Sequence, residues 1–286
     1  MDTLSRRQVG KSPIIATSDS RLQTPDSRLP TVALDVPLLD ATDVSHSYGA
    51  SPALRDVSLT VWAGELVALV GRNGAGKSTL LRLLAAWTRS SGGGIRVCGR
   101  DVRRDERAVR EHVVLVPDTP RFYDELTAWE HLQFVANAHR KGGWQEESER
   151  LLRYTGLWAQ RDAFPLTYSR GMRYKLALCL ALLVEPDLLL LDEPFGPLDP
   201  VSADRVWTRL EASRDRGMGI LLSTHQLPPG ATPDRYIVME EGELIAAGTP
   251  DELRGALDID DLSLDTLLRA ALDESDEAED DPYADA

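Results

Sequence analysis

Lys77 and Ser78 end an eight-residue stretch, Gly71-Arg72-Asn73-Gly74-Ala75-Gly76-Lys77-Ser78, that fits the pattern G-x-x-x-x-G-K-[ST]. The residue types answer one chemical need. A chain of phosphates requires many hydrogen-bond donors in a concave shell, and backbone N–H groups supply them only where side chains stay clear. Glycines at 71, 74 and 76 permit that approach and the tight turn it needs. Lys77 is long enough to reach the β- and γ-phosphates, the Ser78 hydroxyl can ligate Mg²⁺, and Thr79 extends the same cradle.

Such residues work only at a strand-to-helix junction. Leu66 to Val70 is a continuous apolar run, short enough for a fully buried strand, and Leu80, Leu81, Leu83 and Leu84 follow at helical spacing. A helix starting there brings its partial positive charge to the phosphates. This context separates the stretch from a chance glycine turn and makes it a nucleotide site.

A second set of candidates follows at a distance. Leu188-Leu189-Leu190-Leu191-Asp192-Glu193 is four apolar residues ending in two carboxylates. At the C-terminal end of a parallel strand, Asp192 can hold Mg²⁺ through water, and Glu193 can orient or deprotonate an attacking water. Alone, the pair would read as a buried strand followed by a capping acid; beside Lys77 it does not. Tyr168-Ser169-Arg170-Gly171-Met172 begins a helix and presents a second phosphate-seeking turn. His225 follows the strand Gly219 to Ser223, where an imidazole can touch a γ-phosphate, although a lone histidine there is usually structural.

The positioning elements are legible in outline. Leu39 to Val61 alternates loosely, like antiparallel strands joined by the turn Gly49-Ala50-Ser51-Pro52. Ser90 to Gly94 is a break before a short strand, Ile95 to Cys98. His112 to Val116 is a buried strand ended by Pro117. Helices are expected over Thr127 to Ala138, with Thr127 and Glu130 as a capping box, over Glu146 to Tyr154 and over Gly171 to Val184. Strands are expected at Tyr236 to Met239 and Glu243 to Ala246, and a closing helix at Leu262 to Leu272.

Composition sets the outer limits. A hydrophobic content of 42% and a charged content of 27% in 286 residues suit a globular domain. The net charge of −14 argues against a nucleic-acid binder. More than half of that excess lies in residues 273–286, which carry eight acids and no base. Residues 1–38, rich in Ser, Thr and Pro, are expected to form a disordered arm, and 273–286 an acidic disordered tail. Ser5-Arg6-Arg7 hints at a twin-arginine signal, but only Ile14, Ile15 and Ala16 follow as an apolar stretch. No run is long enough to span a bilayer, so a cytoplasmic location is expected. Cys98 and Cys179 read as free thiols in apolar surroundings.

Taken together, these motifs resemble the nucleotide-binding subunits of ABC transporters over roughly Leu39 to Pro250. GRNGAGKST is similar to the family's phosphate loop, LLLLDEP to its Mg²⁺ and water motif, and YSRGM to its signature LSGGQ. Pro197-Leu198-Asp199 resembles the loop after the catalytic glutamate, and Ser223-Thr224-His225 the switch histidine. Tyr48 stands where the family places an aromatic that stacks on adenine. Three positions depart from the pattern: Asp118 replaces a glutamine after the strand ending at Val116, and the signature carries Arg170 and Met172 for glycine and glutamine.

The resemblance implies an α/β fold: a P-loop NTPase core of the ABC ATPase type with an antiparallel β subdomain and a helical insert at about 119–185. The ATPase domain would span 39–250, with a C-terminal helical segment over 251–272. It implies that two copies close head to tail around two ATP, each site combining Lys77, Ser78, Asp192, Glu193 and His225 of one with Ser169 and Gly171 of the other, and it adds Asp199 to the nucleotide-binding residues. Mg²⁺ would be held by Ser78, Asp192 and Asp118, although Asp118 also suits a cap on the helical insert from Thr119 onward. The partner implied is a separate transmembrane permease on the inner face of the cell membrane, and the segment Val116 to Leu132 resembles export-type subunits. Two other readings are a soluble ABC ATPase in repair, translation or regulation, which usually carries tandem nucleotide domains or a coiled coil, and a non-hydrolysing regulator, which usually lacks the equivalent of Glu193.

Overall fold

The computed structural model describes residues 14–15 and 36–280, with backbone alone for 14–15 and 275–280. Strand β1 (Ile14–Ile15) is a two-residue edge strand. The hairpin expected across Gly49 to Pro52 forms from β2 (Leu39–Tyr48) and β3 (Ser51–Val61). The apolar run before the glycine loop is β4 (Leu66–Gly71), buried at every position, and the loop opens into α1 (Lys77–Leu84). Then come β5 (Gly92–Val97), β6 (Arg100–Asp101), a one-turn α2 (Glu106–Val109) and β7 (Val113–Val116).

The middle of the chain is helical: α3 (Ala128–Ala138), α4 (Trp144–Thr155) and α5 (Arg170–Val184). Thr127 caps α3 by accepting from the Glu130 backbone N–H, while the Glu130 carboxylate accepts from the Thr127 N–H at 2.8 Å, the reciprocal pair that the sequence spells. The remaining elements are β8 (Leu188–Asp192), α6 (Pro200–Arg214), β9 (Gly219–Thr224), β10 (Arg235–Glu240), β11 (Glu243–Gly248), α7 (Pro250–Leu257) and α8 (Leu264–Asp280).

The strands form two sheets. The larger has the order β1-β11-β10-β4-β9-β8-β7, parallel throughout except for the β10–β11 hairpin. The smaller, β3-β2-β5-β6, is antiparallel. Period-two alternation along the parallel strands divides the core. Ala68, Val70, Leu189, Leu191, Ile220 and Leu222 face a layer built from α3 to α8. Val67, Leu69, Leu188, Leu190, Leu221 and Met239 face α1 and the antiparallel sheet. A parallel sheet covered on both faces explains why its strands read as unbroken apolar runs. Truncating one of these, Leu190→Ala for example, would cost about 2–5 kcal/mol.

Several expectations need correction. Gly92 to Gly94 is part of β5 rather than a break. At Gly93 φ is +71° and a Cβ would overlap the Asp43 carbonyl, so glycine marks a close approach of two strands at an irregular register. Helix α6 was not anticipated, whereas α7 falls almost wholly within the helical segment expected over 251–272. The acidic segment is helical as far as Asp280, eight residues past the expected end at Leu272, because Glu and Ala favour continuing a helix that Leu267 and Ala271 anchor in the core. Within the expected N-terminal arm, Ile14–Ile15 pairs with Ala246 and Ala247. The rest of that arm, apart from Val36 to Leu38, lies outside the described residues, as does 281–286.

The insert has its own aromatic centre. The Trp129 ring lies 5.1 Å from that of Trp144 and 5.9 Å from that of Trp158, with Arg153 and Arg161 stacked 4.7 and 4.4 Å from the Trp158 centroid. These contacts hold α3 and α4 together independently of the nucleotide loop.

Candidate functional site

Three strand ends set the site, at the carboxyl edge of the parallel sheet. Strand β4 ends at Gly71, β8 at Asp192 and β9 at Thr224. The register places Val70 beside Thr224, and Asp192 beside Ser223. The glycine loop then wraps over these ends. Gly76, at φ +100°, is the N-cap of α1, and a Cβ there would come within 2.8 Å of the Ala53 carbonyl, so only glycine lets the loop lie against β3.

Lys77 is buried, and an unsatisfied ammonium there would be costly. Its Nζ donates to the carbonyls of Gly71 at 2.7 Å and Arg72 at 3.2 Å, and lies 3.6 Å from Oε1 of Glu193. The Ser78 hydroxyl donates to Oδ1 of Asp192 at 3.1 Å, and the buried Ser223 hydroxyl donates to the same oxygen at 2.7 Å. Glu193 sits at φ +49°, a left-handed conformation that a non-glycine residue adopts at a cost and that is common where a side chain must be aimed. Its backbone N–H donates to Ser223, and His225 Nδ1 lies 2.7 Å from its Oε2. A carboxylate only accepts, so the His225 proton resides on Nδ1 in this contact.

One open cleft of about 640 Å³ joins most of the candidates, a size suited to a small-molecule ligand. Tyr48, Arg72 to Thr79, Asp118, Asp192 and Glu193 all line it. His225 and Gly71 line an adjoining hollow together with Leu264 and Leu268 of α8. Ser169, Gly171 and Asp199 do not line the cleft. Ser169 is the N-cap of α5, accepting from Met172 N–H. Gly171 has a local reason to be glycine, since a Cβ would meet the Pro197 carbonyl at 2.6 Å. Asp199 is the N-cap of α6, and hydrogen bonds from the Ser202 hydroxyl and N–H hold its carboxyl below the usual carboxylate range.

Tyr48 is half exposed at the end of β2, with its ring edge-on to His46 at 4.8 Å, and so offers a free face for stacking. Asp118 caps no helix: the first helix of the insert starts ten residues later under Thr127. Its Oδ1 lies 2.5 Å from Nη2 of Arg170. Tyr174, fully buried on α5, is pushed well above the usual phenol range by burial and then by Asp192, Asp118 and Glu193.

Sequence reasoning missed Arg55, Glu241 and Ser223. Arg55 and Glu241 line the cleft from β3 and the β10–β11 turn, and Arg55 pairs with Glu243 at 3.2 Å. Ser223 bonds both Asp192 and Glu193. Its signal was its place at the end of an apolar strand, next to Thr224 and His225.

A sequence model of the family described as ABC transporter matches residues 54–196. The chain is 35% identical over 236 residues to the ABC-type transporter ATP-binding protein EcsA of Bacillus subtilis (strain 168), covering 80% of this chain and 94% of that protein. It is 37% identical over 227 residues to the Nod factor export ATP-binding protein I of Rhizobium meliloti (strain 1021), covering 78% of this chain and 66% of that protein. A solved structure described as an ATP binding subunit of an ABC transporter superposes with a TM-score of 0.76 at 35% identity, covering 82% of this chain and 99% of that one.

Proposed function

This chain belongs to the ABC transporter family as an ATP-binding, ATP-hydrolysing subunit, and we propose that it powers a separate membrane-spanning permease, in the export direction, by pairing with a second copy around two Mg·ATP. The observation that carries the reading is the convergence of Lys77, Ser78, Asp192, Glu193 and His225 at three adjacent strand ends. Export is supported by the likeness to a relative whose name specifies export.

The residues fit Mg²⁺. The Ser78 hydroxyl and the Asp192 carboxylate already touch, and together they offer hard oxygen ligands. Held by these oxygens, the ion would neutralise charge that develops on the transferred phosphoryl group. The chain supplies the rest. Lys77, parked on the Gly71 and Arg72 carbonyls, exchanges those partners for the β- and γ-phosphates. The amides of residues 72–79 hold the triphosphate, and Tyr48 stacks on the base. Glu193 orients the attacking water and takes its proton, and His225 fixes the carboxylate that does so. Ser169 and Gly171 of one copy, at the positive end of α5, complete the site of the other, with the Asp199-capped loop beside them.

We assign the ATPase domain to 39–250, with the helical insert at about 119–185 as the docking element for the permease. Tyr123, Phe134, Phe164 and Leu166 of the insert are exposed, and Tyr123 and Phe134 pack at 5.6 Å into a surface patch. Among the described residues no helix is long and apolar enough to cross a membrane, so the subunit would sit on the cytoplasmic face through its partner. The test is co-purification of the tagged full chain from membranes, with and without Phe134→Asp. A polytopic membrane protein should accompany the parent and be lost from the variant. If no membrane protein accompanies the parent under conditions where its ATPase is active, the permease reading is wrong.

A further inference from the structure

Asp118 and Arg170, two of the three departures from the family pattern, lie 52 residues apart in sequence and meet at 2.5 Å. Asp118 follows β7 and lines the phosphate cleft. Arg170 is the first residue of α5, next to the N-cap Ser169. The contact therefore ties the nucleotide cleft to the turn that, in the pairing proposed above, faces the triphosphate of a second copy.

The other two carboxylates of the motif have partners within the site. Glu193 has Lys77 and His225, and Asp192 has the Ser78 and Ser223 hydroxyls. Asp118 instead takes its cation from α5. Both side chains of the pair are more than a third exposed, so the attraction is screened and the contact is weak enough to be exchanged. Mg²⁺ prefers compact anionic oxygens, whereas a guanidinium is diffuse, weakly hydrated and well matched to phosphate. Placing Mg²⁺ beside Ser78 and Asp192 gives Asp118 a stronger partner and leaves Arg170 without one, one residue from Ser169.

We propose that Arg170 is a nucleotide-binding residue that acts across the dimer, held in cis by Asp118 until Mg²⁺ takes its place. The glutamine usual at position 118 could offer the arginine only a neutral hydrogen bond, and the glycine usual at 170 would leave Asp118 without this cation. Released, the guanidinium can fork onto two oxygens of the γ-phosphate in the facing site.

This inference rests on the pairing proposed above, and its test separates the two. In the full-length Glu193→Gln protein, diluted far enough to stay monomeric so that pairing does not contribute, ATP affinity is measured in Mg²⁺ and in EDTA for the parent, Arg170→Ala, Asp118→Asn and the double variant. The Mg²⁺ advantage should rise about two- to fivefold with Arg170→Ala, and Arg170→Ala should add nothing on top of Asp118→Asn. An equal effect of Arg170→Ala in both backgrounds overturns the exchange. Sedimentation with Mg·ATP should show dimerisation weakened about tenfold by Arg170→Ala and partly restored by Arg170→Lys. An unchanged dimer constant overturns the role across the interface. If the Glu193→Gln parent binds Mg·ATP but never dimerises, the pairing itself is wrong, and the inference falls with it.

Discussion

The imidazole of His225 lies 2.7 Å from Oε2 of Glu193, while the other carboxylate oxygen is 3.6 Å from the Lys77 ammonium. The glutamate is thus held from both sides, by a residue that follows β9 and by one that opens α1. His225→Ala removes one of the two holds and leaves the phosphate cradle intact. ATP affinity should stay within about twofold, and turnover should fall by about ten- to a hundredfold, as expected for a group acting through another. Parallel binding and steady-state assays check this.

The C-terminal helix is part of the fold. Leu267 and Ala271 are fully buried, and Leu264 and Leu268 line the hollow shared with His225. A chain shortened to Leu39–Leu272 should keep nearly full ATP affinity and thermal stability. A chain ending at Asp258 should lose stability by several kcal/mol, about 2–5 for each buried leucine whose packing is lost. Thermal unfolding of the two truncations distinguishes them.

The insert offers a cleaner stability test. Thr127→Ala breaks the capping box and should cost about 1 kcal/mol. Tyr174→Phe should be neutral or stabilising, because the buried Tyr174 hydroxyl has no hydrogen-bond partner among the described residues. Denaturant midpoints with unchanged slopes would establish both.

Cys98 is pushed up to about 11, first by burial and then by Asp187, which is itself 2.7 Å from His112. A raised thiol pKa means less thiolate at any pH below it. Alkylation by iodoacetamide should therefore be very slow at pH 7.5 and accelerate roughly tenfold per pH unit towards 10. Cys179, fully buried and pushed up to about 12, should stay unlabelled in the folded protein.

Local patterns carried most of what the sequence discloses. The glycine loop, the carboxylates Asp192 and Glu193 and the Thr127 cap are contiguous motifs whose residue types state their own requirement. Helix α6 was also signalled, by Asp199-Pro200, and went unread because its apolar periodicity is weak, while the Thr249-Pro250-Asp251-Glu252 capping box opens α7 inside the helical segment that was expected. What no local pattern encodes is contact across the sheet. That Ser223 binds Asp192 follows from the β8–β9 register, and that Arg170 reaches Asp118 follows from the packing of α5 near the end of β7. The trace left by the second pair was two departures whose complementarity only the fold makes visible.

The central claim is that Glu193 supplies the base for ATP hydrolysis in a site completed by pairing. Its most direct test is turnover and sedimentation of Glu193→Gln, which keeps the side chain's shape and removes its charge. ATP should bind as in the parent, turnover should fall by about a hundredfold or more, and a dimer should accumulate in Mg·ATP. Hydrolysis near the parent rate, or a protein that remains monomeric with ATP bound, would contradict it.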